Sequence, residues 1–155
     1  MGYSYLQFSG GTYDPDVIAR VSKESGLPFV LTHVPIERII GDTDALMEEH
    51  AHFGCKNIGL GAMTGSIIAD ADTYKAKIEE LDAAGEKMEK NGFKFFYHHH
   101  HYEFIKHDGE TVFDYILKTI KILLIALNMC IKQFAFCIYI CSRKMHFNNP
   151  VKIKL

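Results

Sequence analysis

A recurrence constrains the fold most. Short apolar runs at residues 3–8, 28–34, 57–62 and 93–100 return about every 25 to 40 residues, with helix-length stretches between them. Parallel strands need a crossover of a dozen residues or more, usually a helix, so this spacing predicts right-handed βαβ units on a parallel sheet. The punctuation agrees. Asp14-Pro15 supplies an N-cap and a proline at the first helical position, and Gly26 ends that helix. Residues 28–34 (PFVLTHV) form a continuous apolar run of the kind buried on both faces of a sheet. A second helix is expected over 43–53, capped by Asp42 or Thr43 and stopped by Gly54. The third covers 71–90. It carries Tyr74, Ile78, Leu81, Ala84 and Met88 at the helical period with charged residues between them.

Charge and composition divide the chain. Residues 1–114 hold all 19 acidic side chains against 10 basic ones, a balance of −9, whereas 115–155 hold 7 bases and no acid. The last glycine is Gly109, and 22 of the final 41 residues are Ile, Lys, Asn, Phe or Tyr, the amino acids with the most AT-rich codons. We therefore expect a domain over 1–118 and, over 119–155, a divergent apolar and basic tail of frame-shifted or read-through character, helical or disordered. A membrane helix over 120–141 is the competing reading, but Lys121, Asn128, Lys132 and Gln133 sit inside that span, and a central lysine costs about 2.5 to 3.5 kcal/mol. The four cysteines, at 55, 130, 137 and 141, match no disulfide framework or zinc pattern and read as reduced thiols. Residues 1–10 have no basic stretch and no long apolar run, so the expected location is cytoplasmic.

Ligands of parallel α/β sheets gather at the carboxyl ends of the strands. Those ends carry Ser9-Gly10-Gly11, Thr32-His33-Val34-Pro35, Gly59-Leu60-Gly61-Ala62-Met63 and the run from Tyr97 to Phe104, YHHHHYEF. His98 and His100 lie two apart on a strand and so project to one face, with Glu103 on the departing loop. Two imidazoles with a carboxylate nearby suit zinc, manganese or cobalt, and a surface histidine cluster is the plainer alternative. His33 stands at the equivalent end of the second strand. His50 and His52, two apart on a helix, point apart and are expected in solvent. Gly59 and Gly61 lack the third glycine of a phosphate loop and suggest close strand packing. Glu79, Glu80 and residues 86–90 read as a solvated helix face.

The succession Gly2-Tyr3, Leu6-Gln7-Phe8-Ser9-Gly10, Tyr13-Asp14-Pro15, Leu31-Thr32-His33, Gly54-Cys55-Lys56-Asn57-Ile58-Gly59 and Tyr97-His98-His99-His100 with Glu103-Phe104 resembles the sugar phosphate isomerase/epimerase family. These are xylose-isomerase-like TIM barrels. The family's fourth block reads YHNHxxEF, so His98, His100 and Glu103 match and His99 replaces an asparagine. The resemblance covers residues 2–118. It implies a divalent metal (Mn, Co, Zn or Mg) held in part by His98, His100 and Glu103, acting as a Lewis acid on a sugar carbonyl. It also implies proton transfer next to that carbonyl by a carboxylate or imidazole, Glu103 or His33. His33, Tyr97 and Tyr102 would contact the sugar or sugar phosphate.

Family members begin one strand earlier and continue through three more that supply an Asp, a His and a Glu to the metal. About four βα units of eight can be placed in this chain, so the expected fold is a partial TIM barrel of the α/β class. The expected product is a fragment with an incomplete metal site, inactive alone and able to associate through exposed sheet edges. Two alternatives come from other classes. A phosphodiesterase of the endonuclease IV type shares the barrel, but the −9 body argues against nucleic acid as a partner. A non-catalytic half-barrel that pairs with another chain is the second, with a membrane role not expected.

Overall fold

The computed structural model describes the backbone of residues 3–121, 124–131 and 134–141, and the side chains of 3–121. In chain order, β1 (Leu6–Phe8) leads into α1 (Pro15–Ser25), β2 (Phe29–Val34), α2 (Ile36–Gly41), α3 (Thr43–His52), β3 (Asn57–Leu60), α4 (Gly65–Ile68), α5 (Ala71–Lys90) and β4 (Lys94–His98). A 3-10 turn at His101–Phe104, the hairpin β5 (Lys106–His107) and β6 (Glu110–Thr111), α6 (Val112–Thr119), β7 (Leu124–Ile131) and β8 (Phe134–Cys141) follow.

The main sheet runs β1-β2-β3-β4-β7-β8, with every pair parallel except the antiparallel β7-β8. Strands that stay in chain order and are joined by right-handed crossovers carry all their helices on one face. This winding is that of a partial TIM barrel. Along each strand alternate residues take opposite faces. Val34, Ile58, Leu60, Phe95 and Tyr97 join Ile39, Leu46, Ile78, Leu81 and Met88 from the helices in one buried cluster. His33, Gly59 and His98 occupy the intervening positions, on the face that a closed barrel turns inward.

Local chemistry explains the element ends. The Asp14 carboxylate accepts from the backbone N–H groups of Asp16 and Val17, and Gly26 ends α1 at φ 68°, donating its N–H to Ser22. Helix α5 starts where Asp70 accepts from Thr73 N–H. The residues it buries include Tyr74, Ile78, Leu81, Ala84 and Met88, the whole stripe expected from the period. Helix α3 lacks the expected side-chain cap: Asp42 holds the position but pairs with Arg38, and the Thr43 hydroxyl donates to the Ile39 carbonyl. The six-residue α2, which carries no capping signal, is an element the periodicity did not reveal.

One expectation about the last third is corrected. The tail was expected to be helical or disordered, but 124–131 and 134–141 are strands. The second, FAFCIYIC, is rich in the β-branched and aromatic residues that fit a pleated surface, whereas the first, LIALNMCI, has only Ile125 and Ile131 of that kind. The free edge of β4 gives the first of them a parallel partner, at Phe96↔Leu124 through His98↔Ala126. Strands β1 to β4, each followed by helix, make the four βα units expected, and β7 adds a parallel strand beside β4. Helix α6 ends at Thr119. Beyond it, Ile120 is buried and Lys121 donates its backbone N–H to Asp82 while its ammonium pairs with Asp82 and Glu86. The remainder of the expected tail, 142–155, lies outside the described residues. Among the described residues no helix is long and apolar enough to cross a membrane.

Candidate functional site

The carboxyl ends of β1 to β4 open onto a cleft of about 680 Å³. Gln7, Ser9 and the Gly10-Gly11 turn form one wall, His33 the floor, Gly61 and Ala62 the far side, and His98 and His100 the last wall. Strand β3 lies between β2 and β4, yet the His33 and His98 rings meet at 4.9 Å between centroids. Adjacent strands are about 4.8 Å apart. The rings can close this gap because the intervening strand presents glycine. Gly59 pairs with His33, and a Cβ on Gly59 would stand 2.6 Å from the Thr32 carbonyl oxygen and 3.1 Å from the His33 ring. A Cβ on Gly61 would stand 3.1 Å from that of His33. The expected close strand packing at these glycines is therefore what makes room for the imidazoles.

His100 lies beyond the end of β4, its ring 4.7 Å from that of His98. The three candidate imidazoles thus form one continuous group. Both ring nitrogens of His33 are engaged, Nε2 with the Gln7 amide nitrogen at 3.3 Å and Nδ1 with Ser9 Oγ at 3.1 Å. An amide nitrogen can only donate, so Nε2 accepts and the proton sits on Nδ1, which donates to Ser9. Burial and the neighbouring His100 hold the His33 pKa below its ordinary value. His98 is pushed down to about 4, by burial first and then by His33, His100 and His99. At neutral pH these two rings are therefore uncharged, the form that accepts hydrogen bonds and ligates metals.

The remaining candidates fall elsewhere. Glu103 is fully buried; its Oε1 accepts from the Tyr97 hydroxyl at 3.0 Å and its Oε2 from the His100 backbone N–H at 2.7 Å. Tyr97, expected against a sugar, belongs instead to the core on the helix side of the sheet. Burial, then Glu103, raise its pKa well above the ordinary value. Tyr102 is half-buried and stacks on His100 at 5.1 Å and 12°. His99, where the resembled motif has asparagine, packs against Phe113 at 5.2 Å.

His50 corrects the expectation of a solvated side chain. It is fully buried, with Nδ1 donating to the Leu46 carbonyl at 2.7 Å and Nε2 accepting from the Thr32 hydroxyl at 2.6 Å. Burial lowers its pKa to about 4. His52 is exposed, 3.7 Å from Asp16.

Reasoning from the sequence named the imidazoles and missed Gln7 as a partner of His33 and Tyr13 as a cleft residue. Position at the end of the first strand was the available signal for Gln7. Tyr13 lies in the loop before α1, and burial with Glu49 raises its pKa.

Among the described residues, no three His, Cys, Asp or Glu side chains are placed to hold a metal ion. Both carboxylate oxygens of Glu103 and both ring nitrogens of His33 already have hydrogen-bond partners, although Nδ1 of His100 is buried without one. The described donors therefore do not fit a complete metal centre. They form a polar wall of imidazole, hydroxyl and amide groups, with no carboxylate, lysine or arginine among the described residues that line it.

No family model matches the sequence, and no curated protein is significantly similar to it. Among solved structures, the chain is similar to a sugar phosphate isomerase/epimerase from Parabacteroides distasonis, with a TM-score of 0.60 and 17% identity over 74% of this chain and 47% of that one. It is also similar to an AP endonuclease, family 2, from Brucella melitensis, with a TM-score of 0.60 and 19% identity over 83% of this chain and 58% of that one. At such identities the likeness shows the fold alone. The chain spans about half the length of each.

Proposed function

We propose that the chain is part of a sugar isomerase/epimerase-type barrel whose cleft binds a sugar or sugar derivative for proton transfer next to its carbonyl. The observation that carries this reading is the convergence of His33, His98 and His100 on one cleft at the carboxyl ends of parallel strands. The uncharged imidazoles of His33 and His98, with hydroxyl and amide groups, can accept and donate hydrogen bonds to the alternating hydroxyls of a polyol. What the described residues supply is binding and orientation. A base as weak as His98, at a pKa of about 4, is poorly matched to abstracting a proton at neutral pH. The acid–base groups and any divalent ion with its further ligands would come from outside the described cleft, and the chain alone is expected to be inactive. Since no lysine or arginine lines the described wall, an uncharged sugar fits it better than a phosphorylated one.

A phosphodiesterase reading has the equal structural likeness to the AP endonuclease in its favour. Against it stands the excess of 19 acidic over 10 basic side chains in residues 1–114, which repels a DNA backbone.

Saturation-transfer NMR in D2O with fructose, fructose 6-phosphate and a duplex carrying one abasic site tests these readings together. Fructose should bind, the signal should fall in His33→Ala and His98→Ala, and the hydrogens next to the carbonyl should not exchange with solvent. Binding of the abasic duplex in preference to both sugars, or no sugar binding at all, would overturn the proposal.

A further inference from the structure

We propose that Glu103 is a positioning residue, which fixes His100 at the cleft from beneath the sheet, and is not itself a ligand for substrate or metal. This deepens the reading of the cleft as a binding site and rests on it. The geometry begins with the alternation of β4. Tyr97 and His98 are adjacent, so their side chains leave opposite faces; His98 lines the cleft and Tyr97 enters the helix-side core. Glu103 accepts from the Tyr97 hydroxyl. Its carboxylate is therefore held on the side away from the His98 ring, and it is absent from the cleft wall.

Its second oxygen accepts the backbone N–H of His100 at 2.7 Å. That bond crosses the 3-10 turn at His101–Phe104, so a buried side chain ties the start of the turn back to the strand that precedes it. A buried carboxylate is retained only where its charge is met by donors, and both oxygens of Glu103 have one. The bond to His100 is charge-assisted, the stronger kind. His100 extends past the end of the sheet, where no ladder bond holds it, and stacks on Tyr102, a residue of the same turn. The carboxylate thus does for His100 what strand pairing does for His33 and His98.

The two roles predict different variants. In Glu103→Gln the amide oxygen can still accept the His100 N–H, and the amide nitrogen can donate to the Tyr97 hydroxyl oxygen, so an anchor survives. A carboxylate ligand would not survive that change. Glu103→Ala removes both bonds, and Tyr97→Phe removes one without touching Glu103.

The test is amide hydrogen exchange at His100 in the full chain without any ligand, followed by fructose binding and Zn²⁺ titration of the same samples. Glu103→Ala should speed exchange at His100 by about tenfold or more, as expected for loss of a hydrogen bond to a charged group, and should weaken fructose binding. Glu103→Gln should restore both to near the wild-type values, with Tyr97→Phe between them. If Glu103→Ala does not fold, Glu103→Gln and Tyr97→Phe still decide the matter. Exchange at His100 that is unchanged in every variant would overturn the proposal. So would a Glu103→Gln variant that loses Zn²⁺ affinity with His100 exchange intact. Should the wild-type chain bind neither fructose nor Zn²⁺, the binding reading fails, while the His100 exchange rates still decide whether Glu103 anchors the turn.

Discussion

His33 and His98 lie on strands separated by a third, and their rings nevertheless meet at 4.9 Å. Glycine in and just after β3 is the cause, and Gly59 and Gly61 make separable predictions. Gly59→Ala places a methyl group 2.6 Å from a backbone oxygen of β2, which no rotamer change relieves, so β2 and β3 must move apart. Gly61→Ala meets the Cβ of His33 at 3.1 Å, where a few tenths of an ångström suffice. Overpacking of this kind costs about 1 to 3 kcal/mol. We expect urea denaturation to put Gly59→Ala at the upper end and Gly61→Ala at or below the lower. The histidine resonances of Gly61→Ala should shift at His33 before any other.

The buried His50 should make stability depend on pH. Its folded pKa of about 4 lies below the ordinary 6.5, so between those values the unfolded chain binds the proton and the folded chain does not. Stability contributed by the neutral ring is therefore complete above about pH 6.5 and is lost as pH falls toward 4. The shift corresponds to about 3 kcal/mol at most. Denaturation midpoints measured from pH 7 to pH 4.5 should fall steeply in the wild type and less steeply in His50→Asn. Thr32→Val, which leaves the His50 Nε2 without its donor, should cost about 1 to 3 kcal/mol at pH 7.

Helix α5 was fully legible because one periodicity set both its length and its buried face. Leu81→Ala should accordingly cost about 2 to 5 kcal/mol, whereas Glu79→Gln on the solvent side should change the denaturation midpoint little. The parallel sheet was legible for a similar reason, since each apolar run had a helix-length interval after it. What escaped was set by tertiary neighbours. His50 looks like any helical histidine until Thr32 of β2 and the Leu46 carbonyl are seen to satisfy it. Tyr97 and Glu103 sit inside a motif that reads as chemistry, and only strand alternation with turn geometry shows that they face the core together. The strands at 124–131 and 134–141 were misjudged because an apolar run of Ile, Leu and Phe fits a helix or a strand equally until the free edge of β4 selects between them.

Metal affinity separates a complete centre from a partial one. A structural zinc site releases about 10 to 16 kcal/mol on binding, and it needs four ligands, whereas the described cleft offers imidazoles with no carboxylate among them. We expect Zn²⁺ or Co²⁺ titration of the wild-type chain to give binding far weaker than that range. The weak affinity that remains should fall in His98→Ala and again when His100→Ala is added. His33→Ala should matter less, since the His33 nitrogens are already bonded to Gln7 and Ser9. Binding that is tight and unaffected by His98→Ala would place the ligands outside the cleft. If binding is tight and abolished by His98→Ala, further donors must join the described imidazoles at the cleft, and Co²⁺ absorption would then report their number through the coordination geometry.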